Sequence, residues 1–181
     1  MQVNLAGNLV GEIPGNRRLH EREKALASRL QLLYSCAMGL IHVSDRQKNV
    51  TYIVWDGTVT WDDWIQHVQT LVADPGWLVS SRFIADLQSV ANSSSIREDQ
   101  IDQATTVPGA DPSRLAGKRG AVVARQEFRR ATRFSDLIAR FGTATVVFNQ
   151  LDTACIFLGL DLQETLKQLE GLRAELRKGS C

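Results

Sequence analysis

The sequence predicts an α/β fold with a mixed, mostly parallel sheet that is flanked by helices and opened by a β-hairpin. Short β-rich runs alternate with amphipathic helical segments along most of the chain, the pattern of a parallel sheet with helical crossovers. The first two β-rich runs are instead joined by a short polar stretch, which is typical of an antiparallel hairpin. At 181 residues, the chain has the length of one compact domain with one core.

The opening hairpin consists of the β-rich runs 39–43 and 50–55, with the polar residues 45–49 between them. Thr60 is then placed to cap a helix, and acidic residues in the first turn suit the positive end of the helix dipole. The apolar residues of this helix share one face: Trp61, Trp64, Ile65, Val68, Leu71 and Val72. Asp74-Pro75-Gly76 predicts its end. Trp77, just beyond, is predicted to be the most exposed tryptophan and the one that contacts a ligand or partner.

The second half of the chain continues the alternation of strands and helices. A buried strand is predicted at 82–87, and Ser95 with Glu98 has the spacing of a capping box, which predicts a helix from Ser95. The remaining elements are a strand at 120–124, a helix from Phe128 to Phe141, a strand at 145–148, a helix at 151–158 and a final amphipathic helix carrying Leu162, Leu166, Leu169, Leu172 and Leu176. Folds of this kind bind their ligands at the carboxyl edge of the parallel strands.

Three segments make up the predicted domain organisation. Residues 1–37 are an N-terminal extension, in which a stretch rich in Gly and Asn precedes an amphipathic helix at about 20–36. Residues 38–160 form the α/β domain, and residues 161–181 form the C-terminal amphipathic helix. Whether the extension belongs to the mature protein is left open by the sequence.

Composition restricts the classes of partner. The net charge is +1, from 21 Lys and Arg against 20 Asp and Glu, so there is no general attraction to nucleic acid or to an anionic membrane. The longest apolar stretches are too short and too interrupted to cross a bilayer. Cys36, Cys155 and Cys181 contain no C-x-x-C pair, which fits a reducing compartment. We therefore expect a cytoplasmic protein that neither binds nucleic acid nor inserts into a membrane.

The motifs of common enzymes are missing from the sequence. It contains no P-loop, no dinucleotide-binding glycine motif and no nucleophile elbow. His20, His42 and His67 are separated from one another and from the cysteines, so no metal site is implied. We expect a non-catalytic protein without a cofactor or a metal.

The order and spacing of the elements over residues 39–160 carry a family resemblance. The segment Gly57-Thr58-Val59-Thr60-Trp61-Asp62-Asp63-Trp64 and the strand ending Ala85-Asp86-Leu87 are followed later by Arg119-Gly120-Ala121-Val122-Val123-Ala124 and Val146-Val147-Phe148-Asn149. This order resembles the STAS-like, anti-sigma-factor-antagonist-like superfamily, particularly its divergent bacterial members of unassigned function. The resemblance implies a regulatory module that binds partner proteins.

A serine-rich turn follows the strand that ends in Asp86-Leu87. In the best-known STAS-like proteins a serine in an Asp-Ser-Ser-Gly turn is phosphorylated, so the resemblance marks Ser93, Ser94 and Ser95 as a phosphorylation or partner-binding turn. The flanking Asp and Gly of that motif are missing here. A phosphate at a helix N-terminus would also meet free backbone N–H groups, whereas capping alone accounts for Ser95.

Basic residues at Arg125, Arg129 and Arg133 recur every four positions. On one helix this spacing would present a stripe to an anion or an acidic partner, and a simple solvated face has the same pattern.

Three functions are therefore consistent with the sequence. The first is a non-catalytic, STAS-like regulatory protein-binding module, which we expect to be packed solid and to bind a protein of unknown identity. The alternative is a small-ligand or lipid-binding carrier, which would show an apolar cavity of roughly 300 Å³ or more. The third is a homodimer whose seam is formed by the leucines of the N-terminal and C-terminal helices.

Overall fold

A computed structural model describes residues 39–93, 95–103 and 112–179, which belong to one compact unit spanning Ser35–Cys181. The predicted extension at residues 1–37, with its helix, lies outside the described residues. The elements are, in chain order, β1 (Leu40–Asp45), β2 (Val50–Thr58), α1 (Trp61–Ala73), α2 (Pro75–Val79), β3 (Arg82–Asn92), α3 (Glu98–Gln103), a 3₁₀ turn (Pro112–Leu115), β4 (Arg119–Val123), α4 (Phe128–Ala139), β5 (Ala144–Phe148), α5 (Leu151–Leu158) and α6 (Leu162–Gly179).

The five strands form one sheet in the order β1-β2-β3-β4-β5. The β1–β2 hairpin is antiparallel, and the other three pairs are parallel. The predicted α/β class, with a mostly parallel sheet opened by a hairpin and flanked by helices, is confirmed. The strands are neighbours in the sheet in the same order as in the chain. Right-handed crossovers between the parallel strands β2 to β5 therefore place all the connecting helices on one face of the sheet, which we call the crossover face.

The sheet separates two apolar layers because successive side chains of a strand point to opposite faces. On the crossover face, Ile53, Phe83 and Val122 pack against α1, α2 and α4. On the other face, Tyr52 and Ile84 pack against α5 and α6. Of the leucines in the predicted dimer seam, Leu169, Leu172 and Leu176 are buried in this second layer. Those of the N-terminal helix lie outside the described residues.

Helix α6 is also joined to the sheet by two ion pairs. Arg173 bonds to the carboxylate of Asp86 on β3, which is only 1% exposed, and Arg177 Nε lies 2.9 Å from Asp56 Oδ2 at the solvent edge. Burial raises the pKa of Asp86, although the neighbouring Gln88 N–H and the Arg173 guanidinium favour its charged form. The first pair is therefore buried and the second exposed.

The capping prediction at Thr60 is confirmed. Its side chain accepts from the backbone N–H of Asp63, and Asp63 Oδ2 accepts from the backbone N–H of Thr60 at 2.9 Å, a complete capping box. The helix predicted from Ser95 is present, but it begins three residues later, at Glu98. Arg97 precedes this helix, and its N–H donates to Gln100 Oε1 at 2.8 Å.

The sequence reasoning also missed helix α2. The sequence pattern at Asp74 predicts only the end of α1. Its carboxylate also caps a new helix, because it accepts hydrogen bonds from the backbone N–H groups of Gly76 at 2.8 Å and Trp77 at 3.1 Å. Pro75 occupies the first helical position, which needs no N–H donor. The new helix turns Trp77 inward, so the predicted exposed tryptophan is in fact 3% exposed.

Candidate functional site

An apolar cavity of about 160 Å³ lies between the crossover face of the sheet and the helices that cover it. The side chains that line it are almost all aliphatic or aromatic. They include, from the sheet, Ile53, Trp55, Phe83, Ala85, Leu87 and Val122 and, from the helices, Trp64, Leu71, Trp77, Ile101, Ala131, Phe134 and Ile138. The cavity is thus built from residues of several separate elements.

Small side chains on facing elements account for part of the unfilled volume. Ala85 on β3 and Ala131 on α4 both line the cavity, and neither has an atom beyond Cβ to fill it. The atoms that line such a space lack part of the packing contacts that a filled core provides, and a ligand of matching shape can supply them.

A polar rim of Ser93, Glu127 and Arg130 forms one part of the cavity wall. Arg130 Nη1 donates to Ser93 Oγ at 2.7 Å and to Glu127 Oε2 at 2.8 Å. Ser93 is buried and follows β3, which extends beyond its pairing with β4, whereas the Arg130 side chain is 34% exposed. The rim lies beyond the carboxyl ends of these parallel strands, where α/β folds bind ligands.

Two buried ring nitrogens, in residues that line the cavity, lack a hydrogen-bond partner among the described residues. They are His67 Nε2 on α1 and Trp77 Nε1 on α2, and both side chains line the cavity. Such atoms are uncommon in folded proteins because they have lost their bonds to water without replacement. Both nitrogens are covered by protein atoms, so this unused hydrogen-bonding capacity lies behind the apolar surface of the cavity.

Histidines that are distant in the sequence meet beside this wall. The rings of His42 on β1 and His67 are in edge-to-face contact, with centroids 5.2 Å apart, which the sequence spacing did not indicate. His42 Nε2 also lies 3.7 Å from Asp74 Oδ2. Burial, and secondarily His42, lowers the pKa of His67 to about 3, so its ring is neutral at pH 7.

Stability should fall on acidification because of His67. In the unfolded chain a histidine takes up a proton near pH 6.5, but the buried His67 stays neutral down to about pH 3. The unfolded state then binds more protons, so from pH 7 to pH 5 this residue should reduce the free energy of unfolding by about 2 kcal/mol. Urea denaturation at both pH values, with wild type and H67L, measures the effect. An equal loss in the two proteins would contradict the assignment to His67.

The residues predicted from sequence are divided among different surroundings. Ser93 is buried in the rim and Ser95 is exposed, while Ser94 lies outside the described residues. Arg129 and Arg133 are exposed on α4, but Arg125 precedes the helix, so it does not continue a helical stripe. Phosphorylation of the serines and binding of an acidic partner by the arginines stay predictions.

Within residues 39–93, 95–103 and 112–179, no three His, Cys, Asp or Glu side chains come together as a metal site would need. Cys155 is buried in α5, where burial raises the pKa of its thiol. None of the helices in the described part of the chain has both the length and the apolar character for crossing a membrane.

Comparison with known proteins gives no relative. No protein-family model matches the chain, and no curated protein or solved structure is significantly similar to it.

Proposed function

We propose that the domain binds a compact, largely apolar small molecule in the cavity between the sheet and helices α1, α2 and α4. The observation that carries the proposal is the cavity of about 160 Å³ with its aromatic and aliphatic lining. An engineered apolar cavity of about 150 Å³ in another protein binds benzene. A ligand of one-ring size therefore matches the space.

The cavity size distinguishes between the ligand classes considered from the sequence. The observed volume is about half of the roughly 300 Å³ expected above of a small-ligand or lipid carrier, so the expectation about cavity size is not met. The space suits a smaller molecule than a lipid. A solidly packed module would have no such space. We therefore favour a small ligand over a lipid.

The solid packing expected of the STAS-like module does not hold at the cavity, but a regulatory role does not itself require solid packing, and it forms the second part of the proposal. Ser93 belongs both to the cavity wall and to the predicted partner-binding turn, and its hydroxyl accepts from Arg130. A ligand that shifts the polar rim would shift the start of this turn as well. We propose that a protein partner binds the turn at residues 93–95 and responds to this shift.

Titration with toluene tests the binding proposal. We expect saturable quenching or enhancement of tryptophan fluorescence, because three tryptophans line the cavity. At about ten times the dissociation constant, toluene should stabilise the protein by ~1.4 kcal/mol, seen as a higher unfolding midpoint. Cyclohexanol and other one-ring probes extend the comparison. If no such probe binds saturably, the proposed function is wrong.

A further inference from the structure

We propose that the natural ligand is a one-ring carboxylic acid, with its ring in the cavity and its carboxylate bonded to Arg130 at the polar rim. The inference rests on the proposed function and specifies the chemical class of the ligand. It follows from the change of the cavity wall from charged to apolar along helix α4.

The first step concerns the side of α4 that lines the cavity. Its residues there recur at helical spacing, in the order Glu127, Arg130, Ala131, Phe134 and Ile138. The first two are charged and lie at the start of the helix, whereas the other three are apolar and lie further along it. A ligand that matches this surface is polar at one end and apolar at the other.

The second step concerns distance. Residues three or four positions apart are neighbours on a helix, so Arg130 and Phe134 lie one turn apart on the same face. A ring that packs beside Ala131 and Phe134 therefore has room for a substituent at the level of Arg130. A group attached directly to one ring, together with one hydrogen bond, spans about one helical turn of 5.4 Å.

The third step concerns donors that a ligand can reach. Arg130 Nη1 is engaged, because it donates to Ser93 Oγ and to Glu127 Oε2. Its Nε and Nη2 have no partner within the described part of the chain, and neither is enclosed by protein atoms as His67 Nε2 and Trp77 Nε1 are. The Arg130 side chain lines the cavity and is 34% exposed, so it lies where the cavity meets solvent.

These two donors have the geometry that a carboxylate requires. The Nε and Nη2 atoms of an arginine form a planar fork that matches the two oxygens of a carboxylate. The chain contains such a pair at its surface, where Arg97 bonds to Asp99 through Nε at 3.0 Å and Nη2 at 2.8 Å. Arg130 can bond to a ligand carboxylate in the same way while Nη1 keeps its present bonds.

The fourth step concerns the sign of the ligand's charge. Among the described residues, the charged side chains that line the cavity are Arg114, Glu127 and Arg130, so positive charge is in excess. The first turn of α4 acts in the same direction, because Glu127 at its N-cap forms no side-chain capping bond and the helix dipole is positive there. A carboxylate at the partly exposed Arg130 also keeps part of its hydration, unlike one deep in the cavity. The rim therefore favours an anion.

The test compares three probes of nearly the same shape whose charges differ at pH 7: benzoate is negative, benzamide is neutral and benzamidine is positive. Dissociation constants are measured at pH 7 for the full chain. We expect benzoate to bind most tightly, and the ratio Kd(benzamide)/Kd(benzoate) to be about tenfold lower in R130M than in wild type. The matched control is R129M, which removes an exposed arginine outside the cavity lining and should leave the ratio unchanged.

Two further measurements cover the effects of the substitutions on folding. Toluene carries no polar group, so its binding to each variant shows whether the cavity is still formed. E127Q removes the negative charge beside Arg130 and keeps an oxygen for its hydrogen bond. The ratio Kd(benzamide)/Kd(benzoate) should therefore rise in E127Q, because a ligand carboxylate is no longer repelled there.

Each outcome has a definite meaning. Tighter binding of benzoate than of benzamide by wild type, with a ratio that falls in R130M alone, supports the inference. If R130M does not fold, a rise of the ratio in E127Q supports the inference and an unchanged or lower ratio overturns it. The inference is also overturned if benzamide or benzamidine binds wild type more tightly than benzoate, or if R130M binds toluene with an unchanged ratio. Toluene binding by wild type leaves the proposed function intact in these cases. If neither toluene nor benzoate binds to wild type, the proposed function itself fails.

Discussion

Replacement of Arg173 by methionine should lower the free energy of unfolding by about 3–5 kcal/mol, the usual cost of removing one partner from a buried ion pair. Asp86 would remain almost fully buried without the guanidinium that bonds to it. Burial already raises the pKa of Asp86, and losing Arg173 should raise it further. The folded state would then bind a proton that the unfolded state has released, so R173M should lose more stability at pH 8 than at pH 5.

Chemical denaturation at the two pH values measures this effect, and the chain offers two controls. R177M breaks the exposed pair with Asp56 on the same helix and should have a much smaller effect. The double variant D86N/R173M removes the buried charge but keeps an oxygen for the Gln88 N–H, so it should be more stable than R173M. A double variant as unstable as R173M would show that charge burial is not the cause.

Replacement of Ala131 by leucine should stabilise the protein and abolish toluene binding. Leucine at this position would extend into the cavity and fill part of its volume. The three added carbon groups gain about 2 kcal/mol, at roughly 0.8 kcal/mol for each buried group, less any strain. The unfolding midpoint in urea and a toluene titration measure the two consequences.

Ala154 provides the matched control for this substitution. It is fully buried on α5, in the layer on the opposite face of the sheet, and does not line the cavity. A154L should therefore overpack that layer and cost about 1–3 kcal/mol while leaving toluene binding unchanged in the folded protein. If both leucines destabilise the protein equally, the space beside Ala131 is not available to a side chain or to a ligand.

Local patterns were sufficient to predict most of the fold. The alternation of short β-rich runs with helical periodicity predicted all five strands and the α/β class, because both patterns depend on residues close in sequence. Thr60 and Asp63 are only three residues apart, and the cap that they form is confirmed. Asp74-Pro75-Gly76 was misinterpreted because the same residues end one helix and begin the next.

The candidate site could not be predicted in the same way. A cavity forms where the side chains of facing elements are too small to fill the space between them. Ala85 and Ala131 are such residues, but they are distant in the chain, and an alanine in a strand or helix does not by itself indicate a cavity. His42 and His67 meet only because β1 and α1 pack together. Ser93 follows β3 and Arg130 lies on α4, and the hydrogen bond between them joins residues 37 positions apart in the chain. These contacts depend on tertiary packing and leave no periodic signal.

The position of α6 has a consequence for synthesis of the protein. The helix packs against β1 and β2, so the last described element of the chain covers the first two. Each strand can pair with its neighbour as soon as that neighbour is made. The face containing Tyr52, Val54 and Ile84 gains Leu169, Leu172 and Leu176 only after α6 is made. A growing chain on the ribosome therefore carries an apolar sheet face that stays incomplete until α6 has been translated.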